Sequence, residues 1–249
     1  MSTRTLQIWR GDAGGGHFVD YEIETEVGMV VLDAVREVQR TQAKDLAVRW
    51  NCKAAKCGCC SAEVNGRPSL MCKTRLDRLP EGEPIRVEPM RTFPLVRDLV
   101  TDVSWNYEVD RKIPPFTPVE DADWRLGQED VDRMSEFRKC IECFLCQDVC
   151  HVLREHDLKR GYFGPRYMIR IASLEMHPYD ALDRTDLVED EGGLGLCNIT
   201  KCCTDVCPEG IKITDNAIIP LKERVVDRRY DPLAALVRRL RRARRRESG

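Results

Sequence analysis

The chain has 249 residues, 42% of them hydrophobic, enough for one large or two ordinary cores. Its net charge of −2 hides an asymmetry: from Arg228 onward nine arginines face only Asp231 and Glu247, so the rest of the chain is acidic and unsuited to wrapping nucleic acid. No run approaches the ~18 apolar residues of a membrane span, and MSTRTLQIWRGDAGGG lacks the apolar stretch of a secretory signal, which points to a cytoplasmic protein with reduced thiols.

Residues 3–10 and 18–25 alternate apolar and polar side chains, predicting a hairpin turned by Gly14, Gly15 and Gly16. Val31, Val35 and Val38 predict an amphipathic helix over 29–41. Leu46, Val48 and Trp50 alternate again, predicting a strand that leads into Cys52. Ala62–Val64 and Ser69–Met71 flank the hairpin signal Asn65-Gly66, and Ile85–Glu88 closes the pattern as a last strand. Ile113-Pro-Pro-Phe-Thr-Pro118 removes backbone donors and reads as a linker. Beyond it Asp130–Lys139, Tyr167–Leu174 and Asn216–Val226 have helical spacing. The expected division is a first domain over 1–108, a linker over 109–118, a helical domain over 119–230 and a basic tail over 231–249.

Eleven of the thirteen cysteines fall into three groups. Cys52, Cys57, Cys60 and Cys72 have the plant-type [2Fe-2S] spacing, and the loop Lys53-Ala54-Ala55-Lys56 can turn its N–H groups toward the sulfurs. Gly58 allows close backbone approach, and Cys59 is out of frame, read as a small buried residue. Cys140, Cys143, Cys146 and Cys150 follow C-x2-C-x2-C-x3-C, the bacterial ferredoxin run. The same frame laid over Cys197, Cys203 and Cys207 fits at three positions and puts Thr200 at the fourth. In such runs the fourth cysteine serves the other cluster. Cys140, Cys143, Cys146 and Cys207 are therefore assigned to [4Fe-4S], and Cys150, Cys197 and Cys203 to [3Fe-4S]. Cys202 is out of frame and is read as packing. His151 and Asn198, each next to a ligand of the three-iron set, are placed near that cluster together with Thr200. No nucleotide fingerprint and no Ser/His/Asp pattern accompanies these groups, so no catalytic residue is assigned.

The loop NCKAAKCGCCSAEVNGRPSLMCKT, the stretch IRVEPMRTFPLVRDLVTDV, and the runs CIECFLCQDVC and CCTDVCPEGIKIT together resemble the iron-sulfur subunit of succinate dehydrogenase and fumarate reductase, over nearly the whole chain. The resemblance implies an α+β architecture: an N-terminal plant-type [2Fe-2S] ferredoxin (β-grasp) domain, then a C-terminal α-helical bacterial-type ferredoxin domain. It also implies a partner flavoprotein with FAD that oxidises succinate to fumarate. Electrons would pass through [2Fe-2S], [4Fe-4S] and [3Fe-4S] to menaquinone or ubiquinone beside a membrane-anchor subunit. The complex would sit peripherally on the cytoplasmic face of the membrane, with no nucleic acid involved. Two departures stand out: the loop is Lys53-Ala54-Ala55-Lys56 where many relatives have R-E-G-I, and His151-Val-Leu-Arg154 replaces a proline and tryptophan near the quinone. The alternatives are the same assembly running as a fumarate reductase, an iron-sulfur subunit of another flavoprotein, or a zinc-binding nucleic-acid module with a basic tail.

Overall fold

The computed structural model describes residues 2–120, 122–157, 159 and 161–232. The basic tail expected over 231–249 lies, from residue 233 on, outside the described residues. Strands β1 (Ser2–Asp12) and β2 (Gly15–Thr25) pair antiparallel from Ser2↔Thr25 to Asp12↔Gly15. The reversal is therefore the two-residue turn Ala13-Gly14, held where the Gly14 N–H donates to Asp12 Oδ1 at 2.8 Å. Gly15 and Gly16 belong to the strand, not to the turn as expected. Helix α1 (Val31–Thr41) buries Val31, Leu32, Ala34, Val35 and Val38 in the first core, the stripe its periodicity predicts.

Strands β3 (Ser61–Val64) and β4 (Arg67–Leu70) form the expected hairpin. Asn65 at φ 49° and Gly66 at φ 74° supply its two left-handed positions. Strand β5 (Ile85–Glu88) runs parallel to β1 and antiparallel to β3. It is not the last: β6 (Leu95–Arg97) and β7 (Val100–Thr101) follow, and β6 meets β1 at Asp12↔Arg97. Among the described residues seven strands make one sheet in the order β4-β3-β5-β1-β6-β7, with β2 beside β1. The strand expected at Leu46–Trp50 does not form. Its Ala47 N–H donates to the Asp98 carboxylate at 2.8 Å and its Ala47 carbonyl accepts from Leu99 N–H at 3.2 Å. Asp98, 2% exposed, also takes the Gly11 N–H and Arg10 Nε, so a buried side chain supplies what a neighbouring strand would have supplied.

Helix α2 (Ser104–Lys112) crosses the boundary expected at 108/109, and its Val109 lies in the second core with Ile113. The proline-rich segment follows. Arg184, with a side chain 1% exposed, donates to the carbonyls of Pro114 and Pro115 at 3.0 and 2.7 Å and pairs with Asp180 and Glu175 at 3.0 and 3.6 Å. Prolines lack the N–H but keep the carbonyl, so an arginine can pin such a segment where a ladder could not.

The second half is helical: α3 (Gln128–Ser135), a 3-10 turn over Phe137–Lys139, α4 (Leu145–Asp148), α5 (His151–Arg154), α6 (Pro165–Glu175), α7 (Thr185–Asp190), α8 (Cys202–Asp205) and α9 (Ile219–Tyr230). A π-helical turn over Ile213–Ile218 runs into α9. Pro220 has no N–H to give the carbonyl four residues back, which interrupts the α-helical ladder there. The core gathers Tyr162, Tyr167, Met168, Ile169, Ile171, Ile213 and Ile218. Sheet-rich first half and helical second half agree with the α+β, two-ferredoxin reading.

The halves are joined by buried charge. Glu63 of β3 is 0% exposed and pairs with Arg91 at 2.7 Å and with Arg154 of α5 at 2.6 Å. Arg154 also pairs at 3.3 Å with Asp148, itself 0% exposed. Thr92 binds both ends of the Asp148 residue, its N–H to Oδ1 at 3.1 Å and its hydroxyl to the carbonyl at 2.9 Å. Burial, then the nearby Glu63 charge, pushes the Asp148 carboxyl up to about 6.

Candidate metal centres

The first cysteine loop is wound around Cys52. Lys53 and Ala55 take left-handed φ of 54° and 53°, which turns the Ala54 and Lys56 N–H groups onto Cys52 Sγ, 3.3 Å each. Those two donors, and then a hydrogen bond with Cys57, hold the Cys52 thiol down to about 7. Cys60 is buried beside Cys72, and burial pushes its thiol up to about 12. The four cysteines expected to act together lie near one another: Cys52 is beside Cys57, and Cys60 is beside Cys72 and near Cys57. Cys59 is half-buried, not buried as expected; its Sγ–H donates to the Cys57 carbonyl at 3.6 Å.

The second and third groups repeat one backbone. After Cys140, left-handed residues come at Glu142 (φ 55°) and Phe144 (φ 60°), and α4 follows over Leu145–Asp148. After Cys197 they come at Ile199 and Lys201 (φ 63° each), and α8 follows over Cys202–Asp205. The offsets are identical, so Thr200 occupies the backbone position that Cys143 holds in the first copy. None of the four is a glycine, so each carries a left-handed cost of about 1–2 kcal/mol that tertiary contacts must offset.

Cys140, Cys143, Cys146 and Cys207 line one cavity with Ile141, Phe144, Arg166, Ile169 and Ile211, and the Ile211 N–H donates to Cys207 Sγ at 3.4 Å. Cys207 therefore joins the earlier run across the chain, while Cys150 turns away. Cys150, Cys197 and Cys203 instead lie near Tyr162, which is 1% exposed. Burial pushes Cys143 and Cys150 up to about 12, Cys203 to about 11 and Cys146 well above its ordinary value; it raises Cys140 too, against the pull of the Arg166 charge. A thiol becomes a ligand only by losing its proton, so desolvated thiols of this kind suit a cationic iron core that replaces the protons on assembly. The sulfurs wall a cavity instead of closing on a point: among the described residues no three His, Cys, Asp or Glu side chains form a single-ion site.

The polar residues expected beside the third group are less enclosed. Asn198 and Thr200 are exposed, His151 is half-buried with its ring 6.3 Å from that of His156, and Thr200 Oγ1 lies 3.4 Å from Cys202 Sγ. Cys202, expected only to pack, is half-buried and close enough for its charge to act on Cys150 and Cys203. Arg166 and Tyr162 lie outside the cysteine frames, and no sequence signal marks them; Tyr162 comes just before α6 and Arg166 in its first turn.

The two halves meet at these loops. Gly58 has φ 68°, and a Cβ placed on it would lie 2.7 Å from Cys143 Cα. Ser61 Oγ donates to the Gly58 and Cys143 carbonyls at 2.9 and 2.8 Å. Lys73 Nζ reaches the Pro208 carbonyl at 2.5 Å, and Lys56 pairs with Glu209 at 3.5 Å.

Comparison with known proteins finds iron-sulfur domains over both halves of the chain. A family model for a 2Fe-2S iron-sulfur cluster binding domain matches residues 5–108, and one for a 4Fe-4S dicluster domain matches 136–211. The succinate dehydrogenase iron-sulfur subunit of Bacillus subtilis is 32% identical over 213 residues, 78% of this chain and 81% of that one. The fumarate reductase iron-sulfur subunit of Mycobacterium tuberculosis is 32% identical over 203 residues, 78% and 80% of the two chains. A chain of the solved Mycobacterium smegmatis Sdh1 complex in the apo form superposes with a TM-score of 0.90 at 61% identity, covering 92% of this chain and 98% of that one.

Proposed function

The chain belongs to the family of succinate dehydrogenase and fumarate reductase iron-sulfur subunits, and from that membership we propose that it is the electron-carrying subunit of a succinate:quinone oxidoreductase. The dicarboxylate site lies on a partner flavoprotein with FAD, and the electrons leave to menaquinone or ubiquinone beside a membrane anchor on the cytoplasmic face. When bound, [2Fe-2S], [4Fe-4S] and [3Fe-4S] clusters supply the one-electron steps between those ends. Cys52, Cys57, Cys60 and Cys72 hold the first; Cys140, Cys143, Cys146 and Cys207 the second; Cys150, Cys197 and Cys203 the third, with Thr200 leaving one corner without a thiolate.

The observation that carries this reading is the seam between Gly58 and Cys143. It sets the first cysteine loop against the second with no side chain between, and Cys150 of the third set follows Cys146 four positions on, across the end of α4. The residues at either end suit partners. Trp50, 38% exposed, carries the Arg36 guanidinium 4.2 Å above its ring and Lys53 at 5.3 Å, a cationic and aromatic rim beside Cys52 for the flavoprotein. Leu196 and Ile199, 44% and 39% exposed on either side of Cys197, form an apolar rim for the anchor and quinone. Among the described residues no helix is long and apolar enough to cross a membrane.

Paramagnetic resonance of the purified complex tests the assignment. The oxidised protein gives a [3Fe-4S] signal, and reduction brings up a [2Fe-2S] signal. Thr200→Cys, which restores the position Cys143 occupies in the repeat, converts the three-iron site to [4Fe-4S] and lowers the oxidised signal at least tenfold. Cys202→Ser leaves that signal intact. An intact wild-type complex without the oxidised signal would refute the assignment, as would a Cys202→Ser variant that loses it.

A further inference from the structure

Arg166, the second residue of α6, lines the cavity walled by Cys140, Cys143, Cys146 and Cys207. Its side chain is only 8% exposed. Its Nη2 donates to Glu142 at 2.5 Å, but that carboxylate is 52% exposed, and water weakens the pair from the other side. Its Nε is buried and has no hydrogen-bond partner among the described residues. A guanidinium taken out of water with a donor left over is strongly disfavoured unless an anion completes its set. The wall beside it offers four cysteine sulfurs, and among the described residues Glu209 is the one other charged side chain lining that cavity.

We propose that Arg166 sets the reduction potential of the cluster held by Cys140, Cys143, Cys146 and Cys207, its buried guanidinium facing the cluster and stabilising the form that carries the extra electron. The proposal rests on the functional reading above. An iron-sulfur core with four thiolates is an anion, and reduction adds one more negative charge at the same place. The cluster's net charge and the hydrogen bonds to its sulfurs are what set such potentials. A fixed positive charge in a low-dielectric wall favours the reduced form and raises the potential. The step is a one-electron reduction in which no bond forms or breaks; the electron comes from dicarboxylate oxidation on the flavoprotein and passes on to quinone. Arg166 gives up no proton, because a guanidinium stays charged throughout. Glu142 works against it: the carboxylate shares the charge and keeps the potential below what Arg166 alone would give.

Redox titration of the intact complex, followed by paramagnetic resonance of each cluster, tests this. Arg166→Met shifts the oxidised-to-reduced ratio of the [4Fe-4S] couple at fixed potential at least tenfold toward oxidised, a fall of 59 mV for one electron. The [2Fe-2S] and [3Fe-4S] couples stay where they are, and Arg166→Lys recovers part of the shift. Glu142→Gln, a substitution at an exposed residue, raises the same couple, and it provides the reading if Arg166→Met fails to assemble. An assembled Arg166→Met complex with an unmoved [4Fe-4S] couple, or a Glu142→Gln complex without a rise, overturns the role of Arg166 and leaves the functional reading standing. A wild-type complex with no [4Fe-4S] signal overturns the reading itself.

Discussion

Replacing Arg154 with methionine destabilises the chain by about 3–5 kcal/mol, the usual cost of leaving buried charges without their partner. Arg154 is the one cation that touches both Glu63 and Asp148 among the described residues, at 2.6 and 3.3 Å, and both carboxylates are fully buried. Glu63 would keep Arg91, whose side chain is 53% exposed; Asp148 would keep only the Thr92 N–H. The loss depends on pH. The Asp148 carboxyl stands at about 6 in the folded chain against an ordinary 3.8. A raised carboxyl favours folding when protonated, so its contribution is lost as pH rises from about 4 to 6 and stays lost above. Without Arg154 the carboxyl moves higher still, and the variant's deficit is largest near neutral pH and shrinks toward pH 5. Denaturant titration at both pH values measures it. A deficit under 1 kcal/mol at pH 7 would mean the network is solvated, and the account of how the halves are joined would fail.

Gly58→Ala is expected to break the seam between the cysteine loops. Alanine at φ 68° costs about 1–2 kcal/mol in the backbone. Its Cβ would sit 2.7 Å from Cys143 Cα and 3.0 Å from Cys143 N and Cβ, all parts of a loop that cannot yield without moving the Cys143 thiol. Overpacking of that kind adds about 1–3 kcal/mol. The loops must part, and Ser61, which ties the Gly58 and Cys143 carbonyls together, must release one of them. The complex should then pass electrons between its first and second sites at least tenfold more slowly, with weaker magnetic interaction between them. Rapid-freeze reduction with succinate reads the rate. An unchanged rate in an assembled complex would show that the contact at Gly58 is not the route.

Much of the site was legible because cluster binding is written locally. A loop that wraps a cluster needs its thiolates at short fixed offsets and its backbone curled between them, so the cysteine frames carried the expectation of three groups, and the structure brings Cys207 into the cavity of Cys140, Cys143 and Cys146. The shared frame also marked Thr200 as the position without a thiolate, and the matching left-handed pairs Glu142/Phe144 and Ile199/Lys201 give that match its backbone form. Strand and helix patterns were readable where one face is buried, as in β1, β2 and α1. They misled where a side chain replaced a ladder, as Asp98 does for Ala47, and they passed over β6 and β7, too short to show a period.

The sequence by itself determined the cysteine frames and the α+β order, since both depend on neighbours along the chain. Only the tertiary structure decided which groups touch. Ser61 and Cys143 are 82 residues apart, Arg154 and Glu63 91 apart, and Arg166 enters the Cys140 cavity from a different helix. Such contacts leave no local periodicity, because they are set by how two cores dock. Burial then changes what the same residues do: it turns an ordinary arginine into a fixed charge beside four cysteines and an ordinary glycine into the only residue that fits between two loops.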